Sequence, residues 1–126
     1  MVSITSEPID PHLTYDLITS KTAGSVVIHY AVVKQQEEAG GTTCYIEYAT
    51  HGDAEAELRG ISDELVAGYS VEDTLLIRRT GRLGLGEIIS LIAASSPNSE
   101  DAFEACKVGI SRMKKMKSII KNEVCG

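Results

Sequence analysis

The apolar and polar positions change period several times along the chain, and the changes mark its elements. Residues 25–34 (SVVIHYAVVK) carry β-branched and aromatic side chains on both faces, which predicts a strand buried on both sides and central in its sheet. Residues 42–49 (TTCYIEYA) predict a second strand, and the polar, glycine-ended stretch between them (residues 35–41, QQEEAGG) predicts a mobile loop short enough for an antiparallel pair. Two further strands fall at 74–80 (TLLIRRT) and 87–94 (EIISLIAA), joined through GRLGLG at 81–86, a hairpin-like turn with three glycines.

Helical spacing occupies the intervals. Asp10 as cap and Pro11 at the first helical position open a short helix with Leu13 and Leu17 as its apolar stripe. Asp53 caps a second helix whose buried face is Ala54, Leu58, Ile61 and Leu65, with Gly68 as the stop. The stretch 95–123 predicts a third helix running out into a lysine-rich tail. Ser96 or Asn98 caps it, Pro97 suits an early helical position, and Phe103, Cys106, Ile110 and Met113 form its buried face, with Met116 as a further member. Residues 1–8 read as an irregular arm or a short edge strand, and 21–24 as a turn. The order α-β-β-α-β-β-α, with strands in adjacent pairs, predicts an α+β sandwich and not a doubly wound sheet.

Composition narrows this picture. The chain has 126 residues, 43% of them hydrophobic, enough for one domain spanning 1–126 with one core. Net charge is −6 but uneven: residues 1–106 sum to −11 and residues 107–126 to +5. An acidic body with one basic end argues against a nucleic-acid binder and favours a local site for an anion such as phosphate or carboxylate. Cys44, Cys106 and Cys125 are odd in number and widely spaced, so neither a disulfide framework nor a zinc site is expected. No basic region followed by an apolar run opens the chain, and no stretch approaches a membrane span, so a cytoplasmic protein is expected.

Most candidate chemistry has a simpler structural reading. GRLGLG joins two strands without leading into a helix, so a tight turn is favoured over a phosphate loop. His12, His29 and His51 are scattered and form no metal-ligand array; His29, inside an apolar strand, suits a hydrogen-bonded core or interface position. Ser95-Ser96 lacks a GxSxG frame, and Cys106 reads as a small hydrophobe. The basic residues remain. Arg78 and Arg79 are neighbours on one strand and point to opposite faces, Lys34 ends the first long strand, and Lys114 and Lys121 share a helical face if the helix persists that far. On spacing alone, lysines near a helix C-terminus are more often dipole partners than reactive groups.

A resemblance changes that balance. Tyr45-Ile46-Glu47-Tyr48, then Arg78-Arg79-Thr80-Gly81, Ser95-Ser96, Ala102-Phe103-Glu104-Ala105 and the pair Lys114 and Lys121, seven apart, follow in an order similar to that of the large, catalytic subunit of molybdopterin synthase. The resemblance covers about residues 16–123. It implies an α/β-hammerhead-like α+β fold and a sulfurtransferase of molybdenum cofactor biosynthesis that needs no cofactor or metal. Such an enzyme converts cyclic pyranopterin monophosphate into molybdopterin, taking sulfur from the thiocarboxylated C-terminal Gly-Gly tail of a small ubiquitin-like subunit. It also implies a central homodimer with one small subunit at each end, a heterotetramer without nucleic-acid or membrane partners. By match, Lys114 is the catalytic lysine and Lys121 the second catalytic-site lysine. Lys34, Val32 and Val33 are implied in the substrate site, together with Asn98, Ser99, Asn122 and Glu123. Three positions depart from the family pattern. Lys34 stands for an arginine, Asn98-Ser99 for a His-Arg pair, and Ser118-Ile119-Ile120 for a PxW segment. These departures favour, as the alternative, a non-catalytic paralogue that only binds a ubiquitin-like tail or an anionic ligand.

Overall fold

The computed structural model describes residues 1–18, 22–34, 37–38, 41–42 and 45–124. Its elements in chain order are β1 (Val2–Thr5), α1 (Pro11–Ile18), β2 (Ser25–Val32), β3 (Glu37–Glu38), β4 (Gly41–Thr42), β5 (Tyr45–Thr50), α2 (Ala54–Gly68), β6 (Asp73–Arg79), β7 (Gly81–Leu83), β8 (Ile88–Ser96), α3 (Ser99–Lys114) and β9 (Ile119–Val124). The expected α+β class is what forms. A four-stranded sheet has the order β1-β6-β8-β2, a three-stranded sheet the order β7-β5-β9, and β3 pairs with β4. Residues 35, 36, 39 and 40 of the expected loop, and Cys44 and Cys125, lie outside the described residues.

Pairing departs from expectation in two ways. The strand expected to be central, β2, is an edge whose described neighbour is β8, with Ser25 opposite Ser96 and Tyr30 opposite Leu91. Its expected partner β5 pairs instead with β7 and β9, so the two halves of the supposed hairpin belong to different sheets. Apolar residues on both faces of β2 satisfied the sequence criterion for a central strand, but they report cover above and below the sheet and not a neighbour on each edge. The N-terminal stretch does supply an edge strand: β1 lies parallel to β6, with Val2 opposite Leu76.

Register across the large sheet separates two cores. Leu76, Ile92 and Ala94 lie on the face covered by α2 and α3, where Leu58, Leu65, Ala105 and Cys106 complete the main core. Leu75, Leu91 and Ala93 lie on the other face, where Ile18 of α1 seals a second cluster. Ile46, Tyr48 and Leu83 of the small sheet pack with Val33 in a third.

The phase of α1 differs from the sequence reading, and in α3 one expected member of the buried face, Phe103, does. In α1 the buried residues are Thr14 and Ile18, whereas Leu13 and Leu17 are exposed. The Thr14 hydroxyl is held by Tyr30 Oη at 2.7 Å and donates to the Pro11 carbonyl at 3.0 Å, so a polar residue takes the inward place without an unpaired group. In α3 the inward face is Ala102, Ala105, Cys106, Gly109 and Met113, and Phe103 is 63% exposed. Close approach explains the choice. A Cβ built on Gly109 would collide with Ile92 Cδ1 and come within 3.1 Å of Leu65 Cδ1, so a side chain there requires those terminal methyl groups to move. The helix α2 keeps its expected face, cap and end: Asp53 Oδ1 accepts from the Ala56 N–H at 2.9 Å, and Leu58, Ile61 and Leu65 are buried.

Candidate active site: a cationic cavity between the two sheets

Beyond the main core, the C-terminal end of α3 and the small sheet leave a cavity of about 470 Å³ over the β6-β8-β2 face. Its floor follows from register. Arg78, Ser90 and Ala31 are aligned across three strands, Ile92 and His29 form the next row, and all five line the cavity. One wall is Ile110, Met113, Lys114 and Met116; the opposite wall is Ile46, Tyr48, Ile119 and Lys121.

Three local devices bring cations here. The pairing of β2 shifts register between Ala31 and Val32. Beyond this irregularity the chain stays attached, because the Val33 N–H donates to the Glu87 carbonyl at 3.0 Å and the Gly86 N–H to the Val33 carbonyl at 2.8 Å. That carries Val32, Val33 and Lys34 to the cavity lining. Second, α3 stops at Lys114, where the Lys115 N–H turns back to the Arg112 carbonyl. Lys121 is therefore not on the helix at all, contrary to the shared-helical-face expectation: it lies on β9, directly opposite Tyr48 of β5. The two lysines still reach one cavity, because the chain reverses between them and β9 runs back along β5. Third, Glu57 on the first turn of α2 secures that reversal, accepting from the Lys117 and Ser118 N–H groups, each at 2.9 Å, and from the Ser118 hydroxyl. Burial raises the Glu57 pKa, but the Ser118 hydroxyl, both N–H donors and the Lys117 charge outweigh it and hold the carboxyl below its usual value.

Lys34, Arg78, Lys114 and Lys121 thus line one cavity, and among the described residues no Asp or Glu lines it. The lysines are exposed, whereas Arg78 is 8% exposed. Its guanidinium carbon stands 4.5 Å from the centre of the Tyr48 ring. Burial lowers the Arg78 pKa and Tyr48 partly restores it. The neighbouring Arg79 points to the other face, as alternation requires, and is bound by Glu87 at 2.6 Å. That bond, the Gly84 N–H and the Arg79 charge pull the Glu87 carboxyl below its usual value against the opposing effect of burial.

Four of the residues implied for the substrate site lie elsewhere in this chain. Asn98 caps α3 at the end opposite Lys114, its Oδ1 accepting from the Asp101 N–H at 2.8 Å, and Ser99 is the first helical residue; neither lines the cavity. Pro97 precedes that cap instead of entering the helix. Asn122 alternates to the face of β9 away from Lys121, beside Glu47, and Glu123 lies outside the lining with its carboxylate 3.0 Å from Lys121 Nζ. Conversely, Tyr48, Ser90 and His29 were not expected in the site. Arg78 alone had a signal: alternation within RR sends one arginine to the apolar face of its strand. Cys106 is a core residue, its thiol pushed up to about 11 by burial despite a backbone bond to Ala94.

Comparison with known proteins agrees with this architecture. The family described as MoaE protein matches residues 4–116. The molybdopterin synthase catalytic subunit of Staphylococcus aureus strain COL is 32% identical over 122 residues, covering 96% of this chain and 82% of that one. The subunit of the same name from Thermoplasma volcanium is 28% identical over 123 residues, covering 98% and 90%. The crystal structure of molybdopterin synthase from S. aureus superposes with a TM-score of 0.89 at 31% identity, covering 98% of this chain and 90% of that one. A Helicobacter pylori complex of subunits 1 and 2 of molybdopterin-converting factor shares the fold with a TM-score of 0.76 at 14% identity, covering 98% and 84%. With fold and sequence in agreement along nearly its whole length, the chain belongs to the MoaE family, the catalytic subunits of molybdopterin synthase in molybdenum cofactor biosynthesis.

Proposed function

We propose that this chain transfers sulfur from the thiocarboxylated Gly-Gly tail of a small ubiquitin-like subunit to cyclic pyranopterin monophosphate, with Lys114 and Lys121 as the catalytic lysines and Lys34 in the anion site. The observation that carries this reading is the cavity lined by four cations and, among the described residues, by no Asp or Glu. The sulfur donor, the phosphate-bearing substrate and the carboxylate left on the tail after each transfer are all anionic. Fixed cations at the rim of a partly dry cavity favour their approach and stabilise charge that develops during transfer. Lys114, at the last turn of a helix whose dipole favours positive charge, is held beside the reacting groups by the reversal at residues 115–118. Val32 and Val33 supply apolar wall beside Lys34.

A homodimer in a cytoplasmic heterotetramer belongs to the same proposal. It is supported by β2, an edge strand apolar on both faces, whose Val32 is among the exposed large apolar residues. Among the described residues no helix is long and apolar enough to cross a membrane. The test is reconstitution with thiocarboxylated small subunit and pyranopterin substrate. Molybdopterin should form, and Lys114→Ala should abolish it while the small subunit still binds. Undiminished turnover in Lys114→Ala refutes the assignment of that residue. Tight partner binding with no turnover by the unmodified protein establishes the non-catalytic alternative.

A further inference from the structure

We infer that Arg78 is the buried oxyanion-binding group of the cavity. Within the sulfur-transfer reading, on which this rests, it takes the terminal oxyanion of a reactant, either the phosphate of the pterin or the carboxyl end of the donor tail. Its placement is dictated by the sheet. Arg78 occupies the row next to Leu76 and Ile92 on the core side of the large sheet, a position where an apolar residue is ordinary and an arginine costs desolvation. Buried guanidinium groups are normally paired with a carboxylate. Arg79, equally buried on the opposite face, follows that rule with Glu87, but among the described residues no carboxylate forms an ion pair with Arg78; the Nε–H groups of both arginines lack a hydrogen-bond partner. The guanidinium is not idle packing at the end of a loose stem. Tyr48 lies against its face at 4.5 Å, which orients the group, and it borders a cavity wide enough for a small ligand. A planar cation held face-on by an aromatic ring, with donors left over at its edge, is suited to the two oxygens of a phosphate or carboxylate. The three lysines around it are exposed, and Lys121 is paired with Glu123; they attract anions, whereas Arg78, buried against Tyr48, fixes where the oxyanion comes to rest. It also compensates chemically for Lys34, a point charge without the bidentate fork.

The ligand-binding test uses inorganic phosphate and needs no turnover. Calorimetric titration of the unmodified protein, Arg78→Met and Arg78→Lys, with circular dichroism to verify folding, should show phosphate affinity roughly tenfold to a hundredfold weaker in Arg78→Met. Arg78→Lys should fall between, because it keeps the charge and loses the fork. In the unmodified, 15N-labelled protein the Arg78 Nε–H resonance should shift on adding phosphate, a readout that survives even if Arg78→Met does not fold. A folded Arg78→Met that binds phosphate as the unmodified protein does, or an Nε–H resonance indifferent to phosphate, makes Arg78 a structural prop for Tyr48 and overturns the inference. The two sources separate kinetically: a KM raised for the pterin alone assigns the oxyanion to the phosphate, and one raised for the small subunit alone assigns it to the tail. If neither KM moves in an active Arg78→Lys or Arg78→Met protein, the inference fails. Should the unmodified protein bind phosphate through Arg78 yet give no turnover, the sulfur-transfer reading falls and the oxyanion site stands.

Discussion

Removing the Glu57 carboxylate should loosen the chain reversal that sets Lys114 against Lys121. Its three accepted hydrogen bonds come from the Lys117 and Ser118 N–H groups and the Ser118 hydroxyl, and Ser118 is buried. A bond to a charged acceptor contributes about 1.5–3 kcal/mol in favourable cases, but Glu57 and Lys117 touch water, which discounts the set to about 2 kcal/mol in total. For a chain of 126 residues that corresponds to a melting temperature lower by roughly 8 °C in Glu57→Ala. The pH dependence has a definite sign. The folded-state pKa of Glu57 lies below its ordinary value of 4.5, so its charge-derived stability is fully present above 4.5 and is lost as pH falls through the folded value. Urea unfolding of the unmodified protein and of Glu57→Gln should therefore show a gap at pH 7 that closes towards pH 3. Turnover in Glu57→Ala, measured where the variant is still folded, should fall by more than the unfolded fraction explains, because both lysines lose their fixed separation. A melting temperature unchanged in Glu57→Ala, or a Glu57→Gln gap of the same size at pH 3 and pH 7, would refute the reasoning.

Three further outcomes follow from particular contacts. Gly109→Val should destabilise the fold by about 1–3 kcal/mol in urea titrations, since a Cβ alone collides with Ile92 Cδ1 and a branched side chain leaves α3 no room on the sheet. Asn98→Ala should cost about 1 kcal/mol by the same measurement, through loss of the α3 cap, and leave phosphate affinity of the isolated chain unchanged because Asn98 lies outside its cavity. Cys106, buried and with its pKa at about 11, should resist iodoacetamide at pH 8 in native protein and react on unfolding, as peptide mass mapping would show.

Helix α2 was legible because one rule decides each of its features: Asp53 is the only cap available, and Ala54, Leu58, Ile61 and Leu65 form an unambiguous stripe. Of the expected α3 face, Cys106, Met113 and Met116 are buried and Ile110 packs against the main core, whereas Phe103 is exposed and the smaller Ala102, Ala105 and Gly109 face the sheet, which lies close to the helix there. The α1 face was misphased through Thr14, whose hydroxyl finds partners that periodicity cannot see. The lysine pair was legible as a pair only through family resemblance; seven-residue spacing suggested one helical face, whereas Lys121 reaches the cavity on a strand.

The sequence by itself determined the α+β class, the cap and buried face of α2, the opposed directions of Arg78 and Arg79 and the asymmetry of charge, because each is read from local order and composition. Tertiary structure alone decided that β2 is an edge, that β5 pairs with β7 and β9, and that Arg78 joins Lys34, Lys114 and Lys121 at one cavity. Those outcomes depend on which strands exchange hydrogen bonds across gaps of 33 residues or more, such as that between Tyr48 and Gly81, where local propensity carries no information. They also turn on where a cation can stay buried without a carboxylate. At Arg78 the ring of Tyr48, brought over from the other sheet, makes that possible.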